Sequence, residues 1–186
     1  MQAFLISTGV VALGEMGDKT QLLALLLAAR FKRPWPIMAG ILVATLANHA
    51  AAGWLGAGIA GWLGPQWLRW IIGLSFLAMA GWMMVPDRAD DAPQAAGRFG
   101  VFGTTVIAFF LAEMGDKTQV ATVMLAAQYK AWLAVVAGTT LGMILANAPV
   151  VWLGDRVLRR LPVRAVHLVS AAIFAALGIA ALAGWA

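Results

Sequence analysis

Two copies of one charged heptapeptide stand 98 positions apart in this sequence. They occupy residues 15–21 and 113–119, and both read Glu-Met-Gly-Asp-Lys-Thr-Gln. Carboxylates at positions i and i+3 of a helix lie on one face, so each copy presents a Glu and an Asp together. Oxygen ligands of this kind suit magnesium, calcium and manganese. The two copies therefore predict one site for a hard divalent cation, with these ligands: Glu15, Asp18, Glu113 and Asp116.

The other residues of the two motifs have supporting roles in this prediction. Lys19 and Lys117 leave the four carboxylates with a net charge of −2, either by pairing with them in the empty site or as fixed counter-charges. Gly17 and Gly115 permit a close backbone approach or a break in the helix. Additional oxygen ligands, or groups that orient the carboxylates, are available from six further side chains: Thr20, Gln21, Thr118, Gln119, Asn48 and Asn147. The two Asn residues can equally bond across helices, and His49 is expected to make an interhelical hydrogen bond.

Carboxylates crowded at low dielectric resist being ionised together, so an empty site should hold protons. An entering cation would displace these protons, and returning protons would displace the cation. The cluster therefore predicts exchange of a divalent cation for H⁺.

The composition places this site in a membrane. Of the 186 residues, 62% are hydrophobic and 11% are charged, and the mean hydropathy is +0.86. Soluble domains are about a quarter charged. The sequence thus predicts an all-α integral membrane protein in contact with lipids and excludes a nucleic-acid partner. It lacks Cys, nucleophile constellations and ATP-binding motifs, so we expect neither an enzyme, a prosthetic group nor an ATPase subunit.

Apolar runs and breakers predict six transmembrane helices, over residues 3–29, 35–57, 66–85, 99–127, 132–154 and 165–185. Two three-helix repeats, 1–85 and 99–186, flank a short cytoplasmic linker, 86–98. Since three is odd, the second repeat enters the membrane from the opposite side, and the repeats are inverted. Secondary transporters built in this way carry their site near the midplane.

The Lys and Arg residues predict the orientation. Loops 1–2, 3–4 and 5–6 hold nine of them: Arg30, Lys32, Arg33, Arg88, Arg98, Arg156, Arg159, Arg160 and Arg164. The opposite side holds only Arg69 and Lys130. The positive-inside rule places the nine in the cytoplasm and both termini outside it. A prokaryotic inner (plasma) membrane and a homo-oligomer are compatible with this arrangement.

A purely structural role for the motifs is disfavoured by energy. A charge at the centre of a lipid-facing helix costs about 3 kcal/mol, and the two motifs carry six. Packing alone does not require charge. Two other interpretations stay open at this point: a passive cation or proton channel, and a structural membrane protein with buried ion pairs.

The paired Glu-x-Gly-Asp-Lys-Thr motifs resemble those of the Gdt-type cation/proton antiporter family. The resemblance covers nearly the whole chain, and both motifs are intact here. It implies that the Glu and Asp residues of the motifs bind the cation, with the lysines beside them. It also implies Mn²⁺ as the transported substrate, exported from the cytoplasm, with Ca²⁺/H⁺ exchange as the alternative. The residue chemistry alone predicts only a hard divalent cation.

Overall fold

The computed structural model describes residues 1–85, 99–154, 156 and 162–184, and within these ranges it contains helices and no strand. Eight helices are described in full: α1 (Gln2–Gly14), α2 (Lys19–Phe31), α3 (Pro34–Trp62), α4 (Pro65–Trp82), α5 (Gly100–Glu113), α6 (Lys117–Tyr129), α7 (Trp132–Leu153) and α8 (Val163–Ala183). The all-α prediction is therefore confirmed. The predicted linker, 86–98, lies outside the described residues.

Three of the described helices, α3, α7 and α8, are long and apolar enough to cross a membrane, while α1 and α5 are shorter apolar helices. Two of the six predicted spans are not continuous helices. Residues 3–29 fall into α1 and α2, and residues 99–127 fall into α5 and α6. Both interruptions lie inside the heptapeptides, where a hydropathy average over about 20 residues cannot detect them.

Glycine makes each interruption possible. Gly17 has a φ of +85° and Gly115 a φ of +75°, a region that side chains with a Cβ rarely adopt. Asp18 and Asp116, the next residues, are extended and stand at the N-cap positions of α2 and α6. The chain therefore turns within each motif and starts a new helix at its Lys.

The helix α3 is longer than predicted, ending at Trp62 rather than near residue 57. With about 1.5 Å per residue, its 29 residues extend about 43 Å. A hydrocarbon core is about 30 Å thick, so α3 must tilt or project from the membrane. In contrast, α4 ends at Trp82, before the predicted limit of 85.

The broken helices pack across the two halves of the sequence. The helix α1 lies against α7, and α5 lies against α3, with α3 and α7 also in contact. The helices α4 and α8 form another close pair, with further contacts of α8 to α1 and of α4 to α6. At the crossing of α4 and α8, a Cβ added to Gly73 would lie 3.1 Å from the Gly178 oxygen, and one added to Gly178 would lie 2.9 Å from the Gly73 oxygen. Each first helix thus packs chiefly on the long helix of the other half.

We predict that Gly56→Ala destabilises the fold, because the new Cβ would lie 2.2 Å from the Val123 carbonyl oxygen of α6. A backbone atom cannot move aside without a cost in free energy. Overpacking of this kind lowers the free energy of unfolding by about 1–3 kcal/mol. The measurement is thermal unfolding of the purified protein in detergent. Gly58→Ala, in the same helix with open space around its Cβ, is the control. Equal melting temperatures for the two variants would contradict the observed α3–α6 contact.

Candidate cation site

Both helix breaks are held by the glutamine that ends the motif. The Gly17 amide donates to the Gln21 side-chain oxygen at 2.9 Å, and the Gly115 amide donates to Gln119 in the same way at 2.6 Å. The Gln21 amide group donates in turn to the Ala146 carbonyl of α7 at 2.7 Å. The oxygens of both glutamines are thus already engaged with the backbone, and both side chains fix the shape of the loops.

The breaks bring carboxylates of the two motifs together. Glu15, Asp18 and Asp116 each offer one oxygen, and the three oxygens lie within 4.8 Å of one another. All three side chains are at most 2% exposed. Oxygens on opposite sides of a cation with bonds of about 2.1–2.5 Å stand about 4.2–5 Å apart. The separations of the three oxygens therefore stay within the span across one bound divalent cation.

Glu15 and Asp18 each keep one carboxylate oxygen available for a cation. Asp18 and Asp116 occupy N-cap positions, where an aspartate commonly accepts a bond from its own helix, but neither makes a side-chain capping bond. The buried Glu15 Oε1 and Asp18 Oδ2 have no hydrogen-bond donor among the described residues. A buried carboxylate oxygen without a partner is costly, and a bound cation would compensate it.

The motif lysines pair crosswise between the two halves. Lys19 Nζ lies 3.3 Å from Asp116 Oδ1, and Lys117 Nζ lies 4.0 Å from Asp18 Oδ1. Lys117 also donates to the Val85 carbonyl, just beyond α4, at 3.1 Å. Each ammonium thus offsets the charge of the aspartate in the other motif. This arrangement ties the two loops to each other.

The two motif glutamates have different surroundings. Thr45 of α3 donates to Glu113 Oε1 at 2.6 Å, and Asn48 Nδ2 lies 3.4 Å from Glu113 Oε2. Glu15 accepts a hydrogen bond from Thr20 of its own motif. Glu113 does not belong to the set of three converging carboxylates. In this structure, therefore, Glu113 is held by α3 while Glu15 faces the aspartates.

The remaining predicted residues are distributed unequally. Thr118 is buried and packs near Gly14, at the end of α1. Asn147 donates to the carbonyl and the sulfur of Met143 on its own helix, at 3.0 Å each. The expected interhelical bond of His49 is wrong, because its two buried ring nitrogens have no hydrogen-bond partner among the described residues.

Sequence reasoning missed Thr45, the donor to Glu113. A threonine in an apolar span is common, so its type carried no signal. Its position did carry a signal, because Thr45 stands one helical turn before Asn48 and His49 and lies on the same part of α3.

Comparison with known proteins gives matches over nearly the whole chain. The model of a family described as divalent cation/proton antiporter GDT1 matches residues 3–91 and 101–185. A Vibrio cholerae protein named "Putative manganese exporter" is 50% identical over 181 residues, covering 97% of this chain and 90% of that protein. A GDT1-like protein of Synechocystis is 27% identical over 195 residues, covering 94% and 93% respectively. No solved structure matches the chain.

We predict that Thr45→Val weakens the fold and alters cation binding, because it leaves a buried oxygen of Glu113 without its donor. The loss of such a partner costs about 1–3 kcal/mol. Unfolding in detergent and equilibrium Mn²⁺ binding are the measurements. Thr122→Val is the matched control, since the buried Thr122 hydroxyl donates at 2.7 Å to a carbonyl of its own helix. If both variants retain wild-type stability and affinity, the Thr45–Glu113 contact has no energetic importance.

Proposed function

The chain belongs to the GDT1 family of divalent cation/proton antiporters, and we propose that it exports Mn²⁺ from the cytoplasm in exchange for protons. The observation that carries the proposal is the convergence of three buried carboxylate oxygens from two helix breaks. The identity of the cation is supported by the relative from Vibrio cholerae, which carries the name "Putative manganese exporter" and is 50% identical to this chain over 181 residues.

In the proposed mechanism, Glu15, Asp18 and Asp116 bind the cation directly. Without the cation, protons and the two crosswise lysines balance the carboxylates, because several bare charges cannot share a buried site. Cation entry releases the protons and loosens the contacts of Lys19 and Lys117 with the aspartates. Glu113 completes the ligand set when it leaves Thr45 and Asn48. Protons that return from the other side reverse these steps.

We further propose that the chain forms six spans in two inverted repeats, residues 1–85 and 99–186, joined by 86–98. Three observations support this architecture. The motifs recur at a constant offset, the family model matches both halves, and α1 packs on α7 as α5 packs on α3. Each broken helix pair then constitutes one span, so both breaks lie at membrane depth. The excess of Lys and Arg in the odd-numbered loops supports a bacterial inner membrane with both termini outside the cytoplasm.

The first test is transport by the purified protein in liposomes with an imposed pH gradient, with lumenal cation and pH measured together. We expect gradient-dependent Mn²⁺ flux with matched proton movement. Asp18→Asn and Asp116→Asn should each reduce the flux at least about tenfold, because each removes a charged ligand. Asp90→Asn, which removes a carboxylate outside both motifs, is the control and should retain activity.

Each alternative predicts a distinct result in this assay. A higher flux of Ca²⁺ than of Mn²⁺ would assign calcium as the substrate. Cation flux without proton movement would indicate a channel. If the folded wild-type protein moves neither ion, the motifs have a structural role and the transport proposal is wrong.

The inverted topology predicts opposite accessibility for two equivalent positions. Arg33 and Ala131 are related by the repeat and are both exposed, and each follows a Lys with a positive φ, Lys32 or Lys130. The chain has no Cys, so Arg33→Cys and Ala131→Cys each introduce a single thiol. An impermeant maleimide added to intact cells should label only Ala131→Cys, and both thiols should react after permeabilisation. Labelling of both from outside would refute the inversion.

A further inference from the structure

The two helix crossings that precede the motif glutamates are equivalent. Where α3 crosses α5, a Cβ on Gly40 would lie 2.6 Å from Thr105 Cβ and 3.0 Å from the Phe102 oxygen. Where α7 crosses α1, a Cβ on Gly138 would lie 3.1 Å from Ser7 Cβ and 2.4 Å from the Phe4 oxygen. Each of these residues stands 98 positions from its counterpart. The same approach of two helices is therefore used twice.

The equivalence predicts which residue of α7 lies beside Glu15. Thr45, which donates to Glu113 at 2.6 Å, follows Gly40 in α3 at the same interval at which Met143 follows Gly138 in α7. Glu15 is likewise the counterpart of Glu113. By this equivalence, Met143 takes on α7 the position that Thr45 takes on α3, and the corresponding carboxyl group is that of Glu15.

The surroundings of Met143 combine an apolar cluster, which includes Val11 and Phe109, with one polar partner for its sulfur. Its side chain is completely buried. The Asn147 amide group lies 3.0 Å from its sulfur and 3.0 Å from its carbonyl oxygen. This contact fixes the orientation of an otherwise flexible side chain and leaves sulfur lone-pair density for another partner. Glu15 Oε1 has no hydrogen-bond donor among the described residues.

Thioether sulfur is a soft ligand, whereas carboxylate oxygen is hard. Ca²⁺ and Mg²⁺ gain little from sulfur, Mn²⁺ accepts it more readily, and Cd²⁺ prefers it. We propose that Met143 supplies a sulfur ligand beside Glu15 and thereby selects Mn²⁺ over Ca²⁺. This inference rests on the proposed function, since it names what makes the same site selective for its cation.

The test compares binding of Cd²⁺, Mn²⁺ and Ca²⁺ to the purified full-length protein and to two variants. Met143→Leu keeps the volume and removes the sulfur, a change that cores usually tolerate. Met143→Gln replaces the sulfur by a hard oxygen donor. We expect Met143→Leu to raise the Kd for Cd²⁺ and Mn²⁺ by about tenfold, most for Cd²⁺, and to leave that for Ca²⁺ unchanged. Met143→Gln should lose affinity for Cd²⁺ and gain affinity for Ca²⁺.

The control is Met79→Leu, in a buried apolar cluster that includes Phe76 of α4 and Phe174 of α8. This variant should leave all three affinities unchanged. A general loss of packing would weaken binding of the three ions equally, and this result would overturn the role of Met143. Unchanged relative affinities in both variants would also overturn it. In either case, proton-coupled Mn²⁺ flux by the wild type would leave the proposed function standing. A wild type that neither binds nor transports these ions would overturn both proposals.

Discussion

The burial of carboxylates in an apolar fold is the constraint on which the rest of this structure depends. All four motif carboxylates are at most 2% exposed, and an unpaired charge in such surroundings costs several kcal/mol. The chain meets this cost locally, with crosswise lysines and with donors from Thr20 and Thr45. The helix breaks are part of the same solution. They place Asp18 and Asp116 at the N-termini of α2 and α6, where the helix dipole favours negative charge.

Close packing of helices is the second requirement, because the motifs can meet only if their helices approach each other. Small residues provide this approach at the crossings on both sides. A Cβ on Gly142 would lie 2.7 Å from the Thr8 oxygen, in addition to the contacts at Gly40 and Gly138. In a membrane, where no hydrophobic effect drives helices together, such backbone contacts are the main source of association. The glycines of α3 and α7 thus position carboxylates that they do not touch.

Much of this arrangement could be predicted from the sequence, because it follows from exact repetition. The identity of the two heptapeptides predicted a joint site, and glycine between two acids predicted where a helix can break. The sequence could not reveal that Glu113 is withdrawn by α3 while Glu15 joins the aspartates. Asn48 and Asn147 stand at nearly, but not fully, equivalent positions of the two repeats. The constant offset instead relates Asn48 to Ala146 and His49 to Asn147, and a shift of one residue in a helix turns a side chain by about 100°. The contacts of these residues differ accordingly.

Identical motifs therefore acquire different properties from the helices around them. Val163 at the start of α8 covers Gly17, to within 2.6 Å of an added Cβ, whereas Gly115 has open space around it and its neighbour Met114 is 55% exposed. Glu113 has donors from another helix, and Glu15 accepts a hydrogen bond from Thr20 of its own motif. A site with two equal halves would bind protons and cations equally in both. The two glutamates therefore differ in their hydrogen-bond partners, and in the proposed mechanism only Glu113 must leave donors of another helix to reach the cation.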